Sequence, residues 1–257
     1  MIKLNNLKKV SIIMPFFKKK EFFVKAYKSA LNQSYSNIEI IIIYDDPNLE
    51  QLTFVKNIIE KNNTIIIVNN KNRGASYSRN LGIKKCKGDY VAFLDCDDIW
   101  KKNKLKEQIG FMERFKLDCT CTNYFVINKK GHILYSVSSP KISTYQSLLK
   151  SCDIGLSTVV LKKQIFEHFK FSNFLTKEDY FLWLNLTKKG INIYAINKTL
   201  SYWRDVHGSL SSSFIQRVKD SFKIYYYYEK QFLFQSIISI IVLSLNSFKK
   251  KIKRFYL

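Results

Sequence analysis

The chain has 257 residues, 46% hydrophobic and 15% aromatic, enough for one large domain or a domain with an appendage and too apolar for intrinsic disorder. Against 20 acidic residues stand 43 Lys and Arg, and the formal charge of +23 fits either an anionic partner such as nucleic acid, anionic lipid or a phosphate-bearing substrate, or a compositional bias that inflates Lys together with Ile, Asn, Phe and Tyr. Five cysteines without a C-x-x-C pair, and only three histidines, argue against a zinc site or a disulfide framework and for reduced thiols in a cytosolic protein.

The amino terminus, MIKLNNLKKV, has no apolar signal-peptide core. Residues 10–15 read as an apolar strand ended by Pro15. Residues 21–31 read as a helix, with Phe22, Phe23, Ala26, Tyr27 and Ala30 at helical spacing. The β-branched run 38–44 predicts a strand buried on both faces. A helix over 52–59, a strand over 64–68, a helix over 75–85 and a strand over 90–94 follow. Strands alternating with helices predict an α/β fold with a mostly parallel central sheet covered by helices on both faces. In such sheets ligands bind beyond the carboxyl ends of the strands. Two of those ends carry acids: Asp45-Asp46 after the second strand and Asp95, Asp97 and Asp98 after the fourth.

The second half changes character. A helix over 104–115 precedes a hairpin of 120–127 and 132–137 turning at Lys130-Gly131. A short helix over 145–150 and a strand over 158–161 come next. The helix over 178–188, rich in aromatic residues, is closed by Gly190, and a strand covers 191–196. With no repeat or flexible linker, one domain extends to about residue 213. From Phe214 a long helical tail contains the uncharged run 232–248 and ends in a basic cluster, Lys249-Lys250-Lys251 with Lys253 and Arg254. The uncharged run is marginal for a bilayer span. On a helical wheel Phe234, Ile237, Ile238, Ile241, Leu245 and Phe248 oppose most of its polar residues. That pattern fits either an interfacial helix on anionic lipid or a helix packed on the domain or a dimer partner.

No G-x-G-x-x-G follows a strand and no G-x-x-x-x-G-K-[ST] occurs. The acids therefore suggest a diphosphate held by metal, with Asp95 and Asp97 as oxygen ligands for Mg²⁺ or Mn²⁺. The competing reading of the cluster is a solvated turn in which Asp98 caps the next helix. Arg79, early in the helix over 75–85, either reaches the same edge to contact base or phosphate or is a surface arginine on an amphipathic helix; spacing alone does not separate the two. Glu178-Asp179 offers a base for an incoming hydroxyl, although the helix amino terminus there predicts a lowered pKa. A nucleotidyltransferase would also set carboxylates and metal at a sheet edge, but it would carry a Gly-rich loop near the first strand, and FFKKKEF has no glycine. A non-catalytic basic binding protein would not need acids at these three places.

These segments resemble glycosyltransferase family 2, whose members have the GT-A fold. VSIIMPFF is similar to the family's opening strand, and ALNQSYSNIEIIIIYDD to its second strand with nucleotide-binding acids. NRGASYSRNLGIKKCKGDYVAFLDCDDIWKKNKL is similar to the central signature with its D-x-D. TKEDYFLWLNLTKKG and YWRDVHGSLSS are similar to two later motifs. Order and spacing are most similar to the subgroup that builds capsular or teichuronic-type polysaccharides, over residues 10–213. The resemblance implies a nucleotide-sugar donor, a carbohydrate or polyprenyl-linked acceptor and no nucleic acid, at the inner face of the cytoplasmic membrane. It implies that Pro15 lies in the donor site and that Asp45 or Asp46 contacts base or ribose. Asp95 is implied to serve the ribose side and Asp97 the metal. Asp179 is the implied base of an inverting transfer, with Glu178 and Trp183 beside the acceptor or supporting it. Arg204 and His207 are implied to contact phosphates once the site closes. Where the family usually has Gly-Ser-x-Asp after the first acids, this chain has Pro47-Asn48-Leu49-Glu50. Where a Tyr-Asn pair is usual after Pro15, it has Phe17-Lys18.

Overall fold

The computed structural model describes residues 7–59, 63–206 and 213–255, with side chains described as far as residue 247. Strand β1 (Val10–Phe16) leads into helix α1 (Lys20–Leu31), β2 (Ile38–Tyr44), α2 (Leu49–Ile58), β3 (Thr64–Val68), α3 (Ala75–Lys85) and β4 (Tyr90–Phe93). Then come β5 (Ile99–Trp100), α4 (Lys104–Phe115), β6 (Cys119–Ile127), β7 (Ile133–Val137), β8 (Ile142–Ser143), α5 (Tyr145–Leu148) and β9 (Val160–Lys162). Helix α6 (Glu178–Lys188), β10 (Ile193–Arg204), α7 (Phe214–Phe222) and α8 (Leu233–Phe255) complete the order.

The sheet runs β3-β2-β1-β4-β9-β6-β10-β5, with β7 added on β6 and β8 on β10. Strands β3, β2, β1 and β4 are parallel, as expected. Strand β9 is antiparallel to both β4 and β6, while β6 and β10 are parallel to each other. The carboxyl ends of β1, β2, β4 and β10 therefore share one edge. Both faces are covered: Ile12, Ile40, Ile42 and Ala92 belong to one apolar cluster with α1 and α4, and Ile13, Ile41, Val91 and Phe93 to another with α6. Burying each of the Ile, Val and Phe side chains among these contributes about 1.5–3 kcal/mol. Helix α3 sits close to the sheet because Gly82 has no side chain; a Cβ there would come within 2.6 Å of Ile13.

Strand β10 is longer than the expected 191–196. The strand takes in the polar Asn197-Lys198-Thr199 through two register shifts against β6 and continues to Arg204. The tail is not one continuous helix. After α7 the backbone widens into π-helical turns over Lys223–Tyr228, Lys230 takes a left-handed φ of 54°, and α8 starts afresh. Ile224 and Tyr225 are fully buried, and the Tyr225 hydroxyl donates to the Leu149 carbonyl at 2.9 Å. Helix α8 turns Ser236, Ile240 and Leu243 toward the domain, and the Asn246 amide donates to the Lys150 carbonyl at 2.9 Å. The apolar stripe Phe234, Ile237, Ile238, Ile241 and Leu245 faces outward, each residue exposed. Among the described residues no helix is long and apolar enough to cross a membrane.

Candidate active site

The shared edge gathers acids from strands distant in sequence. Strand β4 stops at Phe93, and the turn behind it is closed by the Asp98 N–H donating to the Asp95 carbonyl at 3.0 Å. Burial then alternates: Cys96 and Asp98 point inward, while Asp95 and Asp97 are half-buried on the edge. This alternation separates the roles of the cluster. Asp98 is 2% exposed, accepts from the Ser157 hydroxyl at 2.6 Å, and accepts from the Arg204 N–H at 2.9 Å. Burial, then the charges of Asp97 and Asp95, push it well above the usual carboxylate range. The helix-cap reading of Asp98 is thereby corrected. Helix α4 begins after Asn103, and Asp98 instead fastens the turn to β10 and to the 3₁₀ turn Leu156–Thr158. The Ser157 hydroxyl also accepts the Asp95 N–H at 3.2 Å, so one buried serine holds both ends of the turn.

Arg79 lies in the second turn of α3 and is 4% exposed. Its Nη2 donates to Asp95 Oδ1 at 2.8 Å and its Nη1 to Glu178 Oε1 at 2.6 Å. Burial opposes its charge, but Asp95 and Glu178 together outweigh that and raise its pKa. The guanidinium is thereby a strut joining the D-x-D turn to the start of α6. The Phe171 ring lies 5.6 Å from it, and Asn80 clasps the Phe171 backbone through paired bonds of 2.8 and 3.0 Å.

Asp179 follows Glu178 in the first turn of α6, half-buried. Burial first and the adjacent Glu178 charge second push its carboxyl up to about 7, against the pull of the Tyr180 N–H, Arg79 and Lys177. The expectation of a lowered value at a helix amino terminus is corrected. The helix contributes the Tyr180 N–H at 2.6 Å, but desolvation beside a second carboxylate is the larger effect. A carboxylate tuned near neutrality suits a general base.

Asp45 and Asp46 are 3% and 4% exposed and fix loops around the edge. Asp45 takes the Asn69 amide at 2.7 Å and the N–H groups of Arg73 and Gly74 at 2.9 and 2.7 Å. Gly74, at φ 85°, then starts α3 in a conformation other residues rarely adopt. Asp46 accepts the N–H groups of Lys18 and Asn48 at 2.9 and 3.0 Å. Pro15, half-buried, is the penultimate residue of β1 and pairs with Ile43 of β2, so the strand runs one residue past the expected end. Arg204 ends β10 with Nε on the Asp97 carbonyl at 2.9 Å and Nη1 on the Asn128 and Lys129 carbonyls at 3.0 and 2.9 Å. Trp183 is fully buried in the core, so the acceptor-side reading is corrected and only support of α6 remains. His207 lies outside the described residues. Sequence reasoning missed Ser157, Asn69 and Lys19; the last stands in the segment FFKKKEF, where nothing in the pattern links it to an acid.

The family model described as glycosyl transferase family 2 matches residues 11–171, more than half of the chain. The chain belongs to glycosyltransferase family 2. The family 2 chain is 39% identical over 79% of its length to the Escherichia coli enzyme UDP-Glc:alpha-D-GlcNAc-diphosphoundecaprenol beta-1,3-glucosyltransferase WfaP, covering 80% of it. It is 30% identical over 95% of its length to the putative teichuronic acid biosynthesis glycosyltransferase TuaG of Bacillus subtilis, covering 97%. Among solved structures, S. aureus TarS 1-349 in complex with UDP-GlcNAc matches 84% of this chain and 66% of its own, at a TM-score of 0.66 and 17% identity. The mannosyltransferase PcManGT of Pyrobaculum calidifontis, solved with GDP-Man and Mn²⁺, gives 0.65 at 10% identity, covering 89% of this chain and 66% of that one. These last two likenesses concern the fold, and they bear out the expected GT-A architecture.

As a family 2 member the protein is a glycosyltransferase. Its edge acids fit a hard divalent ion in donor type, since Asp95 and Asp97 offer only oxygen. Among the described residues no group of three or more His, Cys, Asp or Glu comes together to hold a metal. An ion held here would thus rely on one or two carboxylates and on the donor's phosphates, the usual arrangement for Mg²⁺.

Proposed function

We propose that this protein is an inverting glycosyltransferase. It moves a hexose from a uridine-diphosphate sugar to a carbohydrate carried on a polyprenyl diphosphate, at the inner face of the cytoplasmic membrane. The observation that carries this reading is the Asp95–Arg79–Glu178 chain, which joins the D-x-D turn to Asp179 in one half-buried site. In this reading Asp95 and the loops fixed by Asp45, Asp46 and Pro15 receive the nucleoside, while Asp97 holds Mg²⁺ or Mn²⁺. Bound, that ion would neutralise charge on the departing diphosphate. Asp179 accepts the acceptor's hydroxyl proton as that oxygen bonds to the anomeric carbon and the bond to the nucleoside diphosphate breaks. Arg204 keeps the Asp97 backbone in place, and Glu178 holds Arg79 and tunes Asp179. The relatives that act on a diphosphoundecaprenol-linked acceptor support the choice of acceptor class.

The test is direct. Purified protein with Mn²⁺ and a panel of nucleotide sugars, UDP-glucose first, is offered a GlcNAc-diphosphoprenol. Extension of that lipid by one sugar with inverted anomeric configuration and release of UDP is expected. Failure to extend it with any donor, while donor binding is intact, would remove this acceptor class.

The tail carries the membrane part of the proposal. Helices α7 and α8 form a groove lined by Val218, Phe222, Tyr227, Ile237, Ile240 and Ile241, with Lys219 and Lys223 beside them. The exposed stripe of α8 continues this apolar surface, and the basic cluster 249–251 follows in sequence. Apolar side chains ringed by lysines suit the headgroup boundary of an anionic bilayer. Ile237→Glu with Ile241→Glu is expected to lower co-sedimentation with phosphatidylglycerol vesicles at least about tenfold, the scale of losing two inserted apolar side chains. Undiminished binding would leave the stripe as an uncovered surface of another kind.

A further inference from the structure

Lys19 occupies a telling position. Its Nζ lies 2.6 Å from Asp97 Oδ2, with the two side chains 26% and 16% exposed. Asp97 is the acid assigned above to the divalent ion, and the ammonium sits on one of the oxygens that ion would use. The lysine's backbone has little freedom. The preceding Lys18 is in the left-handed region at φ 51°, and its N–H is held by Asp46 Oδ2 at 2.9 Å. Asp97 is equally fixed, since Arg204 Nε holds its carbonyl at 2.9 Å. Lys19 and Arg204 flank the same Phe22 ring, at 5.9 and 4.7 Å, so the Asp97 carboxylate already lies among positive groups.

We propose that Lys19 is a tethered competitor for the divalent metal at Asp97, and that it sets how much metal the enzyme needs. The proposal rests on the reading of Asp97 as a metal ligand. A divalent ion and an ammonium repel strongly when both approach one carboxylate in a half-buried site. A lysine side chain, a compact charge on a flexible four-carbon stem, can leave without any backbone change. Loading the metal therefore means exchanging one cation for the other, and the resting site keeps its acid neutralised without metal. The freed ammonium remains beside the site, where the phosphates of an incoming donor supply a new partner for it. A site of this kind discriminates against low metal concentration and against metal without donor.

The experiment measures Mn²⁺ binding by the loss of the free-ion electron paramagnetic resonance signal, with Mn²⁺ alone and with Mn²⁺ plus UDP. Lys19→Gln and Lys19→Ala are each expected to bind Mn²⁺ alone at least about tenfold more tightly than the wild type, a difference of about 1.4 kcal/mol. The two variants share only the loss of charge, so agreement between them assigns the effect to the ammonium. Unchanged or weaker binding in both overturns the proposal. Asp97→Asn separates this from a failure of the underlying reading. If that variant binds Mn²⁺ as the wild type does, Asp97 is not a ligand and both ideas fall. If Asp97→Asn loses the ion while the Lys19 variants match the wild type, only the competition falls. Absence of Mn²⁺ binding by wild type and Lys19 variants alike, with or without UDP, overturns both.

Discussion

Asp179→Asn is expected to lower the transfer rate by about 10²–10⁴-fold, the range of a positioned general base, while nucleotide-sugar affinity stays within about twofold. The substitution is nearly isosteric, and the new amide oxygen can still accept the Tyr180 N–H that Asp179 Oδ1 now takes at 2.6 Å. What it removes is the ability to take up a proton. With its carboxyl pushed up to about 7, the wild type should gain rate as pH rises through neutrality, and this limb should vanish in the residual activity of the variant. Stability supplies an independent check. Between the ordinary Asp pKa near 4 and the raised value, the folded protein holds a proton that the unfolded chain has released. Asp179 therefore favours folding at low pH, and that contribution is lost as pH rises through about 7. Asp179→Asn should raise the melting temperature relative to wild type at pH 8 and leave it almost unchanged at pH 4. A normal turnover number in this variant would remove Asp179 from its role.

Arg79→Met is expected to cost about 3–5 kcal/mol of stability, the usual penalty for removing one partner from a buried charge network. For a protein of this size that is a fall in melting temperature of roughly 10 °C. The size follows from geometry. Arg79 is 4% exposed and its two terminal nitrogens each hold a different carboxylate, so its loss leaves Asp95 and Glu178 without their cation. Unpaired Glu178 would also push Asp179 higher and move the pH limb with it. Adding Glu178→Gln should recover part of the lost stability, because one of the stranded charges is gone. Calorimetry of the single and double variants checks both statements, and a melting temperature equal to wild type in Arg79→Met would show that the strut is not holding the site.

The readable parts of this sequence were those whose signals are local. The run IEIIIIY is buried on both faces because it lies inside a parallel sheet, and its composition says so. The helices α1 and α4 bury the apolar positions that their spacing marks. The acids after β2 and β4 were legible as a site because parallel topology sends strand ends to one edge. What each acid does was less legible, since its partners are far away in the chain. Asp98 owes its burial to Ser157 and to Arg204, more than a hundred residues on. Nothing next to Asp98 in the sequence distinguishes it from Asp97. The direction of the Asp179 shift was misread for a related reason: the helix dipole is a local cue, whereas desolvation is set by everything packed around the residue.

Helix α7 bears on how the tail must be studied. Asp220, 1% exposed, accepts both the N–H and the hydroxyl of Thr176 at 2.9 Å, immediately before Lys177, Glu178 and Asp179. Shortening the protein at residue 213 would take away this latch and also empty the core of Ile224 and Tyr225. A deletion would therefore confound two properties, with catalysis failing for reasons unrelated to lipid. Single changes on the outward stripe of α8 spare the latch. The same connection gives any force acting on the tail a short mechanical route to Asp179, the proposed base.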